Sequence, residues 1–181
     1  GSIKALDSVD FYLQKGIVHG LLGENGAGKS SLMNVLSGIY IPESGSIKIN
    51  NQKIEKMSPD IAASFGIGMV HQEFRLIESF TIKDNLTLSK ASIFNDNFKE
   101  AYDKYSEIFA LNSNYLTPVN ELSVGEKQKV EIMKLIFKNS QIMLLDEPTA
   151  VLTPQETLQL KGSLEKLSQE DEKTIVLITH K

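Results

Sequence analysis

The feature that most constrains this chain is a glycine-rich segment of the form G-x-x-x-x-G-K-S. An apolar run, residues 17–22, comes just before it and predicts a buried strand, and apolar residues at helical spacing, from Leu32 to Ile39, come just after it and predict a helix. Strand, glycine-rich turn and helix form the context in which backbone N–H groups wrap phosphate groups. The segment consists of Gly23, Glu24, Asn25, Gly26, Ala27, Gly28, Lys29 and Ser30, with Ser31 directly after it.

This segment predicts a phosphate-binding loop for a nucleotide. Lys29 is expected to reach the outer phosphates, and the Ser30 hydroxyl is expected to bind Mg²⁺. The start of the following helix adds partial positive charge, which favours an anion there. A nucleotide with its magnesium ion is therefore the expected ligand.

The composition limits the classes of function. A net charge of −4 without a basic cluster argues against nucleic acid as a partner. The lack of cysteine excludes disulfides and thiolate metal sites. No apolar stretch approaches the roughly 20 residues of a membrane-spanning helix. We therefore expect residues 1–181 to form a single soluble domain.

Hydrophobic patterning predicts an α/β fold with a mostly parallel sheet. The continuous apolar runs 142–145 and 175–178 are typical of central strands that are covered on both faces. Residues 65–70 predict a further strand. The segment 155–169 is predicted to be a helix, with Leu158, Leu164 and Leu167 facing inward.

Two regions are expected to depart from this parallel core. An antiparallel β portion near the start is predicted from the alternating residues 9–13 and from a hairpin over 47–54, with Asn50 and Asn51 at its tip. An inserted helical subdomain is predicted over residues 73–125. It contains an amphipathic helix over 98–109 and a weaker helix candidate over 81–89.

Two carboxylates, Asp146 and Glu147, follow directly on the apolar strand 142–145. Ligands bind where the strands of an open parallel sheet end, so this pair is expected to lie beside the phosphate loop. Asp146 would hold Mg²⁺. Glu147 is placed to orient and deprotonate the water that attacks the terminal phosphate of the nucleotide.

The segment Leu122-Ser123-Val124-Gly125-Glu126 precedes a predicted helix. Ser123 and Glu126 form a capping box, which would account for the segment on local grounds alone. The segment also lies between the phosphate loop and the Asp146–Glu147 pair in the sequence, and this position favours a functional role in addition to capping. In this order of motifs the chain resembles the ABC transporter ATPases, whose signature segment is usually LSGGQ, and LSVGE or similar in one subgroup.

The resemblance implies roles for further residues. Gln72, after a strand, looks like the glutamine that contacts Mg²⁺ and the attacking water. His180, after the strand 175–178, looks like the histidine that bonds the γ-phosphate. In this family two ATPase domains close face to face around two ATP molecules. The signature residues Ser123, Gly125 and Glu126 would therefore contact the ATP of the opposing domain.

The chain also departs from the family pattern. Val124 replaces a glycine of the signature, Glu126 replaces its glutamine, Thr153 stands where many members have an aspartate, and Ser31 replaces a threonine. The family's adenine-stacking aromatic lies upstream of the first strand, about where this chain begins, and the chain stops one residue after His180. We expect a domain truncated at both ends, from the N-terminal half of a tandem ATPase.

The wording of residues 68–76 and 148–156 is similar to the ATP-binding subunits of bacterial simple-sugar and nucleoside importers. This resemblance implies ATP and Mg²⁺ as cofactors and an ATPase that energises import. It also implies transmembrane permease subunits as partners, a substrate-binding protein as an indirect partner, and a place on the cytoplasmic face of the membrane. The helical insertion with Phe74, Arg75 and Phe80 would contact the permease.

Two other functions remain open. One is a non-transport ABC ATPase acting on DNA or ribosomes, although no heptad run between Lys29 and Ser123 supplies the coiled coil of DNA-repair members. The other is a nucleotide-binding fragment without activity of its own, since one domain supplies half of each shared site. His19 and His71 match no motif and are expected to be structural.

Overall fold

A sheet of four parallel strands forms the centre of the molecule. Its order is β1 (Val18–Leu22), β6 (Thr174–Thr179), β5 (Ile142–Asp146) and β4 (Ile67–Val70). The structure, a computed structural model, describes residues 4–88, 94 and 96–179. The predicted α/β fold with a parallel core is confirmed.

Helices surround this sheet, and a small antiparallel hairpin accompanies it. The hairpin consists of β2 (Ile47–Ile49) and β3 (Gln52–Ile54). The helices are α1 (Lys29–Leu36), α2 (Pro59–Ser64), α3 (Ile82–Thr87), α4 (Phe98–Ile108), α5 (Val124–Phe137) and α6 (Pro154–Asp171), and a 3₁₀ turn spans Val119–Glu121. No helix in these described parts of the chain is long and apolar enough to cross a membrane.

The inner strands β5 and β6 divide their side chains between two cores. Met143 and Leu145 belong to a cluster shared with α3, α4, α5 and α6, whereas Leu144 belongs to a second cluster with α1, α2 and the hairpin. Residues alternate between the faces of a strand, so a strand covered on both faces has a nearly continuous apolar run between its ends. The continuous apolar runs therefore identified the central strands correctly.

The hairpin confirms its predicted turn. Asn50 and Asn51 have φ angles of 50° and 66°, and they join strands in which Ile49 pairs with Gln52. Two successive residues with positive φ form the type I′ turn, whose twist matches that of the flanking strands, and asparagine tolerates this conformation well.

Two predicted strand features are wrong. The described residues 9–13 belong to no strand, and Phe11 and Leu13 are instead partly buried against the second core cluster. This packing accounts for the alternation of apolar and polar residues, and it does not require pairing with a neighbouring strand. Residues 17–22 were expected to be buried, but β1 is an outer strand of the sheet, and Leu22 is 68% exposed.

Two further predictions are wrong: Leu158 was expected to face inward, and Ile39 was expected to continue the helix after the phosphate loop. Leu158 is 70% exposed, because the buried face of α6 runs through Leu160, Leu164 and Leu167, and a residue two positions before Leu160 points away from it. Ile39 is 43% exposed, because α1 ends at Leu36 and the chain turns before reaching it.

The region predicted as a helical insertion, 73–125, contains α3, α4 and the 3₁₀ turn, and its end enters α5. Both predicted helices are present, as Ile82–Thr87 and Phe98–Ile108, while Ser89 lies outside the described residues. Buried residues of both helices share a cluster with the sheet. That 73–125 acts as a separate subdomain stays a prediction.

Candidate nucleotide-binding site

The phosphate loop leaves the sheet at the end of β1 and enters α1. Gly26 and Gly28 have φ angles of 81° and 86°, which L-residues rarely adopt, so glycine is required at both. A Cβ on Gly28 would overlap the carbonyl oxygen of Ala5 and lie 3.2 Å from Leu6 Cδ2, whereas a Cβ on Gly26 would meet nothing within 4 Å. The N-terminal segment thus packs on one side of the loop.

Lys29 anchors the loop on itself. The side chain is buried, and Nζ donates to the carbonyl oxygens of Gly23 and Glu24, each at 2.7 Å. An ammonium group has three protons, so two of them close the loop and the third is available for a ligand. Glu24, Asn25 and Ala27 are exposed along the loop, which leaves its outer side accessible.

A side-chain hydrogen bond joins the phosphate loop to the end of β5. The Ser30 hydroxyl donates to Asp146 Oδ1 at 3.3 Å, across 116 positions of sequence. Asp146 is the last residue of β5 and is 8% exposed. The hydroxyl and the carboxylate that were predicted to share a metal ion are therefore adjacent.

These groups suit Mg²⁺ chemically. Magnesium prefers oxygen ligands and is held by one or two protein groups together with water and substrate phosphates, not by an all-protein cage. The described residues contain no group of three or more His, Cys, Asp or Glu side chains that could hold a metal alone. A hydroxyl and one carboxylate beside a phosphate loop match the first arrangement.

Glu147 stands directly after Asp146, in a backbone conformation that is unusual for its type. Its φ is 50°, and its carbonyl oxygen accepts from the N–H of Ala150 at 3.1 Å, forming a turn at the edge of the sheet. A left-handed non-glycine residue costs about 1 kcal/mol or more and is often found at functional sites. Because of this turn, the chain leaves the direction of β5 at Glu147, directly after the strand ends.

Gln72 lies at the same edge of the sheet. Val70, the last residue of β4, pairs with Leu145, so Gln72 follows the strand next to Asp146, and its side chain is exposed. His71 lies between Val70 and Gln72 in the sequence. Burial lowers the pKa of His71, as does the charge of Arg75, against the opposing effects of Glu131 and Asp146.

The signature residues lie at the beginning of α5. Ser123 is its N-cap, and the predicted capping box with Glu126 is present. Gly125 is buried, and a Cβ there would come within 3.5 Å of Leu152 Cδ2 and closer still to the carboxylate of Glu156. The signature therefore packs against the beginning of α6, where Thr153 and Glu156 form a second capping box.

A clamp between α5 and the segment after Gln72 was missed by sequence reasoning. Glu131, 6% exposed, accepts from the backbone N–H of Arg75, and Lys134 Nζ donates to the Arg75 carbonyl oxygen at 2.7 Å. Burial lowers the pKa of Lys134, while the neighbouring Glu131 opposes this shift. Only the helical spacing of the two residues, three apart, could have indicated that they act together.

The remaining predicted site residues have different outcomes. His180 lies outside the described residues. Ser31 lies in the first turn of α1 and is partly buried. The prediction that His19 is structural agrees with its position, since its Nε2 accepts from the Gln14 N–H at 3.1 Å.

The fold and this loop together define a nucleotide-binding α/β domain of the phosphate-loop class. A family model described as ABC transporter matches residues 6–150. The chain therefore belongs to the ABC transporter family.

Individual relatives carry the same indication. The chain is 42% identical to the nucleoside import ATP-binding protein NupA of Lactococcus lactis, over 100% of the chain and 37% of the relative. It is also 42% identical to the galactose/methyl galactoside import ATP-binding protein MglA of Clostridium perfringens, over 99% of the chain and 36% of the relative. The chain thus spans little more than a third of these curated relatives.

Solved structures agree with the fold. The dimeric post-hydrolysis structure of the ATP-binding cassette MJ0796, bound to ADP and Pi, superposes with a TM-score of 0.82. Its sequence is 27% identical, over 98% of this chain and 80% of that one.

Proposed function

We propose that this chain is the ATP-binding and ATP-hydrolysing part of an importer for a nucleoside or a simple sugar. The hydrogen bond between Ser30 and Asp146 carries the proposal, because it places a hydroxyl and a carboxylate together at the mouth of a phosphate loop. The substrate class rests on relatives whose names specify nucleoside and galactoside import.

The loop would bind the phosphates of ATP through its backbone N–H groups and the beginning of α1. Lys29 would keep its two bonds to the loop carbonyls and donate its third proton to a phosphate oxygen. Residues 23–31 therefore supply the binding energy for the triphosphate, and the dipole of α1 adds to it.

Ser30, Asp146 and Gln72 would hold Mg²⁺. The ion would neutralise charge on the outer phosphates and orient the γ-phosphate for attack. Ser30 and Asp146 are suited to this role because their side-chain oxygens lie 3.3 Å apart beside the phosphate loop.

Glu147 would act as the general base. Glu147 directly follows Asp146, so the general base would lie next to the residue that would hold Mg²⁺. Gln72 would orient the attacking water from the neighbouring strand, and His180 would contact the γ-phosphate.

A complete site would need a second ATPase domain. Ser123, Gly125 and Glu126 lie at a helix N-terminus, where an anion is favoured, and would face the ATP of that domain. The MJ0796 cassette is dimeric in its ADP and Pi state. Transmembrane permease subunits, with a substrate-binding protein upstream, would place this chain on the cytoplasmic face of the membrane.

The permease would dock on residues 73–125, including the segment directly after Gln72. Phe80 is 39% exposed in this region, and Phe74 and Arg75 lie shortly after Gln72. The clamp of Arg75 by Glu131 and Lys134 would link movements of this segment to the signature helix.

The test is Glu147→Gln in the complete polypeptide assembled with its permease. ATP binding should persist, while steady-state phosphate release should fall by more than about 100-fold, because a neutral amide cannot take the proton of water. Glu172→Gln is a matched control, since Glu172 also has a left-handed backbone, at φ 52°, but forms an exposed ion pair with Lys15. Unchanged phosphate release in Glu147→Gln would remove Glu147 from this role.

A further inference from the structure

The Ser123 hydroxyl is fully engaged in the capping box of α5. Its Oγ lies 2.8 Å from Glu126 Oε2, and the backbone N–H of Ser123 donates to the same oxygen at 2.9 Å. In return, the N–H of Glu126 donates to Ser123 Oγ at 3.3 Å. The side chain of Ser123 therefore both gives and receives a hydrogen bond.

The other oxygen of Glu126 is also occupied. Ser113, in the connection between α4 and α5, donates its hydroxyl to Oε1, and the Ser113 carbonyl accepts from Tyr102 of α4 at 2.6 Å. Burial acts to raise the pKa of Glu126, but the bonds from Ser113 and Ser123 outweigh it, and the pKa lies below its ordinary value. At neutral pH this side chain is an anion.

An ionised carboxylate has no proton to give, so the hydroxyl groups of Ser113 and Ser123 must both be donors to it. A serine hydroxyl has one proton. While the box is closed, Ser123 has none left for a phosphate oxygen, which is itself only an acceptor. By contrast, the N–H groups of Val124 and Gly125 lie in the first turn of α5, where no acceptor exists within the helix.

We propose that Glu126, held by Ser113, is a latch that competes with the γ-phosphate of ATP for the Ser123 hydroxyl. The latch rests on the proposed function, in which the signature faces the ATP of a second domain. The backbone amides of α5 engage the phosphate first, and Ser123 joins only when Glu126 releases it. The negative charge of Glu126 beside the phosphate raises the ATP concentration at which the two ATPase domains close around the nucleotide.

The decisive variant is Glu126→Gln, in the complete polypeptide with its permease. The side chain keeps its length but loses its charge, and a neutral acceptor holds a hydroxyl about half as strongly as a charged one. We expect the apparent KM for ATP to fall by about 3- to 10-fold. A mere loss of helix capping would leave KM unchanged or raise it, so the direction separates the two explanations.

The chain supplies a matched control in the capping box of α6. Glu156 Oε2 accepts from the Thr153 N–H and from Thr153 Oγ1, both at 2.8 Å, which reproduces the geometry at Ser123. Glu156→Gln should therefore weaken a cap to the same extent, and because the Glu156 carboxylate lies beside Gly125 but does not bond to Ser123, KM should fall less than in Glu126→Gln. An equal fall of KM in both variants would overturn the latch, as would an unchanged or raised KM in Glu126→Gln.

A second pair of variants tests the anchor, and it stays informative if Glu126→Gln fails to fold. Ser113→Ala removes one donor from the latched carboxylate, so KM should fall by about 2- to 3-fold, and Ser113→Thr, which keeps a hydroxyl, should restore it. Wild-type KM in Ser113→Ala would count against the latch.

The failure of the latch is distinguishable from failure of the proposed function. Lys29→Ala should abolish ATP turnover in the same preparation, because it removes the cation of the phosphate loop. If Lys29→Ala and Glu147→Gln behave as expected while Glu126→Gln leaves KM unchanged, only the latch is wrong. If Lys29→Ala retains full turnover, the phosphate site itself is wrong.

Discussion

Gly26 and Gly28 of the phosphate loop both have a positive φ angle. Alanine substitutions at these two positions therefore separate the energetic cost of a steric clash from the cost of backbone strain. Gly26→Ala and Gly28→Ala both place a methyl group on a residue with φ above 80°. Strain of this kind costs about 1–2 kcal/mol at each position. Both variants also reduce the entropy of the unfolded chain equally, so that effect cancels in the comparison.

Only Gly28→Ala adds a clash. Its Cβ would overlap the Ala5 carbonyl oxygen and press on Leu6 at 3.2 Å, whereas the Cβ at Gly26 points into open space. Overpacking of this kind adds about 1–3 kcal/mol. The expected loss in the free energy of unfolding is therefore about 1–2 kcal/mol for Gly26→Ala and about 2–5 kcal/mol for Gly28→Ala.

Urea unfolding of the two variants and the parent chain is the assay. With a slope of about 2 kcal/mol per molar urea, the extra penalty at Gly28 corresponds to a midpoint about 1 M lower than for Gly26→Ala. Gly28 is also the N-cap of α1, so its displacement should weaken ATP binding through Lys29. Coincident midpoints for the two variants would refute the packing of the N-terminal segment against the loop.

Two further predictions concern α6. Leu164→Ala should lower the free energy of unfolding by about 2–5 kcal/mol because the side chain is 1% exposed, whereas Leu158→Ala should stay within about 0.5 kcal/mol; equal losses in denaturant titrations would contradict the assigned face. Burial acts to raise the pKa of Asp171, but hydrogen bonds from Lys104 and Tyr105 outweigh it and lower the pKa. The stability from Asp171 is therefore present at neutral pH and is lost as the pH falls through its lowered pKa, so Asp171→Asn should depress the melting temperature more at pH 7 than at pH 3.

The family relationship and the geometry address different questions. Sequence similarity over residues 6–150 establishes membership of the ABC transporter family. It does not reveal that the glutamate at the end of the signature receives hydrogen bonds from two serine hydroxyls. That arrangement gives the LSVGE form of the signature a consequence that the motif alone does not contain.

Local features were predictable because their physics lies within a few residues. The phosphate loop, the asparagine turn and the Ser123 capping box each depend on contacts across three to six positions. The apolar runs of β5 and β6 also identified central strands, because a strand covered on both faces cannot alternate with polar residues.

Tertiary structure decided what depends on the order of strands and on which helix face meets the sheet. Apolar residues 17–22 and Leu158 satisfy the same local patterns as buried segments, yet β1 is an outer strand and Leu158 is exposed. The bond from Ser30 to Asp146 and the clamp from Glu131 to Arg75 join residues 116 and 56 positions apart. Such contacts form only when whole elements pack, because no local interaction favours one distant partner over another.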